Sequence, residues 1–405
     1  MNAIAMKTAA IVLFWSSAAL IAYAYALYPA WLWLHSRLAP RPWRRAPITP
    51  SVSIIVAVHN GATIIREQLQ RLLQLDYPTE LVEIIVVSDG STDATPGLLR
   101  GFAHPRVRIF ICDEHRGKAA ALNAGIREGR NELLVFVDAR PQLERGALRE
   151  LVSNFADAGI GCAGGELRLC DAGHDAATSA VGGFYWRLEQ AIRKWESQLD
   201  SCCGVYGGFH AVRRALIAEL PAGLVLDDMY LPARVVQAGF RAVIDSDAIV
   251  CDIWPQTGRG EFRRKVRTLA GNFQLLKLAP WLLGRHRLRF QLFAHKWLRL
   301  AVPAFLAIAV VSSALLAPAT RFYLWLLLVQ AAFYALAALG MFGVLRKLTA
   351  APAAFVLLNA AAVAGFWKFI TSGDQLWKLW KATPPPLSPV LSQAAAATAS
   401  EQKFA

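Results

Sequence analysis

Several signatures are missing from this chain of 405 residues. No two of its six cysteines form a Cys-x-x-Cys pair, which removes zinc-ribbon and thioredoxin-like readings. No Gly-x-Gly-x-x-Gly follows a strand-like run, and no Walker loop is present. Dinucleotide binding and P-loop chemistry therefore lose their fingerprints. There is no internal repeat, which sets aside solenoids and propellers. Acidic residues are scarce, 29 against 43 lysines and arginines, for a net charge of +14. Charge of either sign is absent from Thr8 to Leu34, a run longer than the roughly 20 residues a spanning helix needs.

What is present is apolar: 55% hydrophobic residues and thirteen tryptophans, too many for a purely soluble protein. A cleavable signal peptide has an apolar core of about 7–15 residues, so Thr8 to Leu34 reads as a retained anchor. Three more apolar runs lie at Ala301 to Pro318, Phe322 to Val344 and Pro352 to Ile370. Only Lys7 precedes the first run, whereas Arg37, Arg41, Arg44 and Arg45 follow it. The positive-inside rule then predicts a multi-pass protein of the inner (plasma) membrane with its middle domain cytoplasmic. Arg346 and Lys347 agree; Lys368, Lys378 and Lys381 would fall outside if all four runs cross. The basic excess beside the membrane runs points to anionic lipid headgroups as partners rather than nucleic acid. A cytoplasmic domain also predicts free thiols.

The middle of the chain alternates short apolar runs with helical periodicity. Ser51 to Val58, Val82 to Val87, Val107 to Ile111 and Leu133 to Val137 read as strands. Ile64, Leu69, Leu72 and Leu73 mark one amphipathic helix, and Lys118 to Arg127 reads as another. Such alternation predicts an α/β fold with right-handed crossovers and a mostly parallel sheet. The layout expected is a transmembrane anchor at 1–36, a basic linker at 37–50 and the α/β domain at 51–258. Amphipathic interfacial helices follow at 259–298 and transmembrane helices at 299–371. Residues 372–405 form an amphipathic segment and a disordered tail containing Pro384, Pro385 and Pro386.

Carboxylates gather at the strand ends. Asp89 and Asp93 follow the second strand, Asp138 the fourth, and Asp227 with Asp228 stand alone further on. In a parallel sheet the first two sites share one edge, where ligands bind. An acidic turn is a poor cradle for bare phosphate but suits a ribose, a base edge or a phosphate-bearing cation. Asn60 and Lys118 could line the same cleft. The plainer readings are turn formation and helix capping by Asp93, Asp227 and Asp228. His59 and His210 read as structural.

The ordered segments Val-Ala-Val-His-Asn-Gly (56–61), Ser-Asp-Gly-Ser-Thr-Asp (88–93), Gly-Lys-Ala-Ala-Ala-Leu-Asn (117–123) and Phe-Val-Asp-Ala-Arg (136–140) resemble family-2 glycosyltransferases of the GT-A fold. Tyr-Gly-Gly-Phe-His-Ala-Val-Arg-Arg (206–214), Leu-Asp-Asp (226–228) and Arg-Lys-Val-Arg-Thr (264–268) extend the resemblance. They are similar to the membrane branch that includes cellulose, hyaluronan and poly-N-acetylglucosamine synthases. The resemblance implies a Rossmann-like GT-A domain flanked by transmembrane and interfacial helices. It also implies inverting transfer from a nucleotide sugar, taken as a UDP sugar, to a growing exopolysaccharide. Transfer of one sugar to a lipid or lipid-linked acceptor is the alternative. Asn60, Asp89 and Lys118 would then hold the nucleotide, and Asp138 the ribose or a metal-bound diphosphate, with Mg2+ or Mn2+ as the cation. Asp228 would be the base, while Arg264 and Arg267 would stabilise the leaving diphosphate. Tyr206, Gly207, Gly208, Asp227 and Thr268 would form the acceptor side.

Independently of the resemblance, Phe262, Val266, Leu269 and Phe273 recur at helical spacing, which predicts a helix lying along the membrane. Arg264 and Arg267 share another face, where plain headgroup contact is the rival role. The departures from the family pattern are Arg140 in place of the second Asp of Asp-x-Asp, Thr268 in place of a tryptophan, and Leu226 in place of a threonine. An arginine cannot ligate a cation. Either Asp138 binds the metal with donor oxygens and water, or Arg140 joins the nucleotide-binding residues and partly replaces the cation. Thr268 weakens the case for chain extrusion, and four spans suggest that polymer export would need a homo-oligomer or export partner. The reading from another class is a catalytically silent GT-A scaffold. A transporter fits less well, because the apolar runs hold few ionisable residues.

Overall fold

Successive residues of the first strand bury on opposite faces of one sheet, which explains its unbroken apolar run. Val52, Ile54, Val56 and Val58 join one core cluster, and Ile55 and Ala57 the other. The computed structural model describes residues 3–169, 176–252 and 258–379. Its strands are β1 (Val52–Val58), β2 (Val82–Asp89), β3 (Val107–Cys112), β4 (Leu133–Asp138), β5 (Gln142–Leu143), β6 (Ile160–Leu169), β7 (Phe209–Arg213) and β8 (Arg241–Asp252). They form one sheet in the order β3-β2-β1-β4-β7-β6-β8-β5. The pairs β1–β2, β2–β3, β1–β4 and β6–β8 are parallel, while β7 and β5 run against their neighbours. The α/β class and the mostly parallel sheet expected from the sequence are observed.

Ahead of the sheet come α1 (Ala3–Ala22) and α2 (Tyr28–Leu38), joined by a π-helical turn. The domain adds α3 (Ile65–Leu73), α4 (Thr95–Arg100), α5 (Lys118–Glu128), α6 (Ala147–Ser153), α7 (Ala176–Leu199) and α8 (Asp227–Gln237). After it follow α9 (Gly258–Leu278), α10 (Arg289–Gln291), α11 (Leu298–Leu316), α12 (Arg321–Met341) and α13 (Arg346–Ser372). Helix α3 places Ile65, Leu69 and Leu72 on one sheet face with Leu148 and Leu151 of α6. Helix α5 covers the other with Ala119, Ala121 and Leu122. Its approach needs Gly125, where a Cβ would stand 2.5 Å from Ile55 Cγ2.

Among the described residues, four helices are long and apolar enough to cross a membrane: Ile4–Leu38, Arg289–Leu316, Arg321–Met341 and Leu348–Ser372. Trp15, Trp325, Trp367 and many aliphatic side chains on them are exposed, as expected of surfaces that face lipid. The second of these begins ten residues earlier than the boundary expected at 299 and runs through a π-helical turn at Leu292–Trp297. His295, Lys296 and Arg299 make this stretch look interfacial, but they are drawn into ion pairs with Glu189, so the helix continues.

Two further expectations change. Cys112, Cys162, Cys202 and Cys203 are free as expected, but Cys251 is disulfide-bonded, so the expectation of free thiols fails at that position. The face predicted to lie on the membrane rests instead on α13. Phe273 meets Phe366 and Phe369 at 5.1 and 6.1 Å, and a Cβ on Gly365 would stand 3.2 Å from Leu269 Cβ. The chain beyond Leu379, with Pro384 to Pro386, lies outside the described residues.

Candidate active site

The chain leaves β1 for β2 and β3 on one side and returns to β4 on the other. Such a switch point opens a crevice at the strands' carboxyl ends. Here β1 is followed by Asn60, whose φ of 52° is left-handed, a conformation asparagine tolerates better than most residues. Its Oδ1 accepts the N–H of Thr92 at 2.8 Å, tying β1 to the turn after β2. Asp89 is buried and accepts the N–H groups of Gly117 at 2.8 Å and Arg116 at 2.9 Å, with His115 Nδ1 2.7 Å away. These bonds pull in a loop that turns at Gly117, φ 92°, and delivers Lys118 at the first position of α5. Asn60 and Asp89, expected at the nucleotide, are here the residues that build these loops, and neither lines the cavity that holds Lys118.

Lys118 stands at the centre. Its Nζ lies 3.0 Å from Asp138 Oδ1 and 3.1 Å from Asp227 Oδ2. Burial, the largest single influence, opposes its charge, but Asp138, Asp227 and Asp228 together hold its pKa above the ordinary value. Asp227 and Asp228 occupy the first turn of α8, where the N-cap is Leu226 without a side-chain bond. Neither carboxylate is therefore used as a helix cap. Asp228 lines the cavity, and burial followed by repulsion from Asp227 raises it to about 6. Arg193, Lys118 and Arg267 act in the opposite direction. A Cβ on Gly207 would stand 3.2 Å from Asp228 Oδ2, so the Tyr206-Gly207-Gly208 turn needs glycine to admit this carboxylate. His210 stacks on Phe136 at 4.9 Å, and burial lowers it to about 4. It is neutral and structural.

Arg140 is not an unpaired stand-in for a cation. Its Nε and Nη2 donate to Asp252 at 2.8 and 2.5 Å, and Tyr206 Oη donates to the same carboxylate at 3.2 Å. Asp252, at the end of β8, escaped the sequence reading, as did Arg193 on α7. The strand pairing explains the first: Gln142 of β5 lies opposite Cys251 of β8, which carries Arg140 to Asp252. Asp138 offers a second oxygen beyond the one facing Lys118, and its side chain is 35% exposed. One accessible carboxylate with the phosphates of a donor fits Mg2+ or Mn2+, which retain outside ligands readily.

From the other wall, α9 adds the basic pair. Arg264 lies 2.9 Å from Glu261, and Thr268 Oγ1 donates to Arg264 O at 3.1 Å, turning its side chain back onto the helix. Burial lowers the pKa of Arg267, while Asp138, Asp228 and Asp227 pull it up, so it shares the space of the carboxylates. Lys118, Asp138, Arg140, Asp228 and Arg267 line one cavity of about 260 Å³. Its far wall includes Tyr25, Leu300 and Asn359 from the apolar helices.

Residues 53–220 match the family Glycosyl transferase family 2. The chain is 28% identical to "Probable glycosyltransferase YdaM" of Bacillus subtilis (strain 168) over 260 residues, 60% of this chain and 61% of that protein. It is 24% identical to the poly-beta-1,6-N-acetyl-D-glucosamine synthase of Staphylococcus aureus (strain COL) over 235 residues, 56% and 55% of the two chains. The chain thus spans less than two thirds of these relatives' length. Among solved structures, a mannosyltransferase from Pyrobaculum calidifontis in complex with GDP-Man and Mn2+ superposes with a TM-score of 0.67 at 26% identity. The match covers 88% of this chain and 99% of that one. A glycosyl transferase family 2 domain on the GT-A fold is therefore what residues 53–220 match.

Proposed function

We propose that the chain is an inverting glycosyltransferase that moves a sugar from a nucleotide sugar to an acceptor hydroxyl at the membrane. The observation that carries this is Asp228, a carboxylate raised to about 6 in the cavity it shares with Asp138 and Arg267. A base of that strength is ionised at neutral pH and still takes a proton usefully. Asp228 accepts the proton of the acceptor hydroxyl as that oxygen bonds to the anomeric carbon. The bond from this carbon to the diphosphate oxygen breaks on the opposite face, and the electron pair leaves with the diphosphate. Arg267 and Arg264 offer it N–H donors, which is worth most in a site screened from water. Lys118 holds Asp138 and Asp227 in place. A divalent cation on Asp138 would neutralise the diphosphate when bound.

The acceptor expected from the sequence is a growing exopolysaccharide at the cytoplasmic face of the inner membrane. Two observations favour a lipid or lipid-linked acceptor instead. Thr268 offers no ring on which a polymer end would stack, and apolar helices form the cavity's far wall. The relative that holds GDP-Man adds GDP sugars to the UDP sugars expected as donors. The test is nucleotide release by the detergent-solubilised protein over panels of UDP and GDP sugars, with and without Mg2+ or Mn2+ and with membrane lipid extract as acceptor. Turnover with one donor and a product one sugar larger supports lipid glycosylation, and a long product supports the polymerase. Nucleotide binding without release from any donor supports the silent scaffold.

A further inference from the structure

Where the α/β domain meets the apolar helices, three side chains with no task in the transfer converge. Glu196 comes from the last turn of α7, Cys203 from the link between α7 and β7, and His295 from the π-helical turn before α11. All three are fully buried, and one oxygen, one sulfur and one nitrogen from them lie within 4.8 Å of one another. Glu196 Oε1 stands 2.9 Å from His295 Nδ1 and 3.7 Å from Cys203 Sγ, and it accepts Tyr28 Oη of α2 at 2.8 Å. The other oxygen accepts the Cys203 N–H at 3.1 Å. Across the ring, His295 Nε2 stands 2.9 Å from Glu189 Oε2. Either neutral tautomer therefore turns one ring lone pair toward a carboxylate oxygen. A second ring proton would answer that, but it would set a charge beside Lys296, whose Nζ is 3.2 Å from Nε2. Nor would it use the Cys203 sulfur. A cation on Nδ1 serves Glu196 and Cys203 together, while Nε2–H donates to Glu189, the arrangement that orients histidines in metal sites.

We propose that Glu196, Cys203 and His295 hold a zinc ion that joins α7 to the membrane helices. Thiolate, imidazole and carboxylate are zinc ligands, and a thiolate selects against Mg2+ and Mn2+, so the site is chemically separate from the cation expected at Asp138. As the sulfur–zinc bond forms, the Cys203 Sγ–H proton leaves to solvent, and nothing is oxidised or reduced. The carboxylate and the thiolate then cancel the charge of the ion, which makes the group easier to bury. Cys203 stands three residues before Tyr206, so the ion also braces the Tyr206-Gly207-Gly208 turn against Asp228. The inference does not depend on the transferase reading.

The full chain is purified in detergent without chelator, its metal content is measured by plasma mass spectrometry, and Co2+ is exchanged into it for absorption spectroscopy. About one zinc ion per chain is expected, and the Co2+ form should show the near-ultraviolet band of a thiolate–cobalt bond. Cys203→Ser should lose that band and bind zinc at least about tenfold more weakly. Glu196→Gln, which keeps an oxygen facing the sulfur, should weaken zinc likewise, and Asp138→Asn should leave both readouts unchanged. Stripping the zinc should lower the Tm of the native protein but not that of Cys203→Ser. Absence of the thiolate band in the native protein needs no variant and overturns the proposal in favour of a protonated, hydrogen-bonded imidazole. Unchanged zinc affinity in both Cys203→Ser and Glu196→Gln overturns it by placing the metal elsewhere in the chain.

Discussion

The two ends of the cavity are charged in opposite ways. At the sheet edge one lysine, Lys118, is outnumbered by Asp138, Asp227 and Asp228. On the membrane side Glu189 faces Lys296, Arg299 and Arg193, and the buried Glu196 joins it around His295. At the acidic end, burial and crowding make a carboxylate more basic and so able to take a proton. At the other end burial works against the charge of Glu189, but His295 and Lys296 hold it well below the usual carboxylate range.

Removing the base should break the comparison most. Asp228→Asn keeps the shape and is expected to lower transfer by about 10²–10⁴-fold while nucleotide titration shows binding retained. In the native protein the base works only when ionised. The rate should therefore fall about tenfold per pH unit below about 6 and level off above. The stability sign is opposite. A carboxylate whose folded pKa lies above its unfolded value costs stability as pH rises between the two, and the cost persists above. Asp228→Asn should thus melt at an equal or higher temperature than the native protein at pH 8. Full turnover in this variant would remove Asp228 as the base.

Emptying the centre of the acidic end comes next. Lys118→Met leaves carboxylates facing one another in a buried site, an expected loss of about 3–5 kcal/mol in stability, read by denaturant or thermal unfolding in micelles. Because Lys118 now holds Asp228 down, the acid limb of any remaining activity should move to higher pH. A limb that stays in place would mean that the lysine does not act on the base.

How much of this was legible in the sequence differs between the two ends. The acidic end rests on contiguous segments, 136–140 as a strand followed by its turn and 117–123 and 226–228 at helix starts, so apolar runs, turn formers and helix starts located them. The basic end draws Glu189 from α7 and Lys296 and Arg299 from a stretch more than a hundred residues later. No local pattern joins them, and Lys296 and Arg299 belong to no motif of their own. Periodicity at Phe262 to Phe273 correctly indicated a helix and an apolar face. It did not reveal that α13 covers the face, since a hydrophobic stripe fits a helix as well as a bilayer.

The smallest effect tests the one place where sequence and structure pull apart at the site itself. Arg140 replaces a carboxylate expected to ligate metal, and Asp252 returns a carboxylate to it from another strand. If the pair is a fixed unit, Arg140→Ala and Asp252→Ala should each weaken binding of the Mn2+–nucleotide complex several-fold. The double variant should be little worse than either single one, a coupling of about 0.5–3 kcal/mol measured by calorimetry. Arg140→Asp would set a second carboxylate beside Asp138 and strengthen the dependence on added Mn2+. Two additive single effects, with an unchanged metal titration in Arg140→Asp, would instead make Arg140 and Asp252 separate surface groups. The departure from Asp-x-Asp would then have no compensation in the fold.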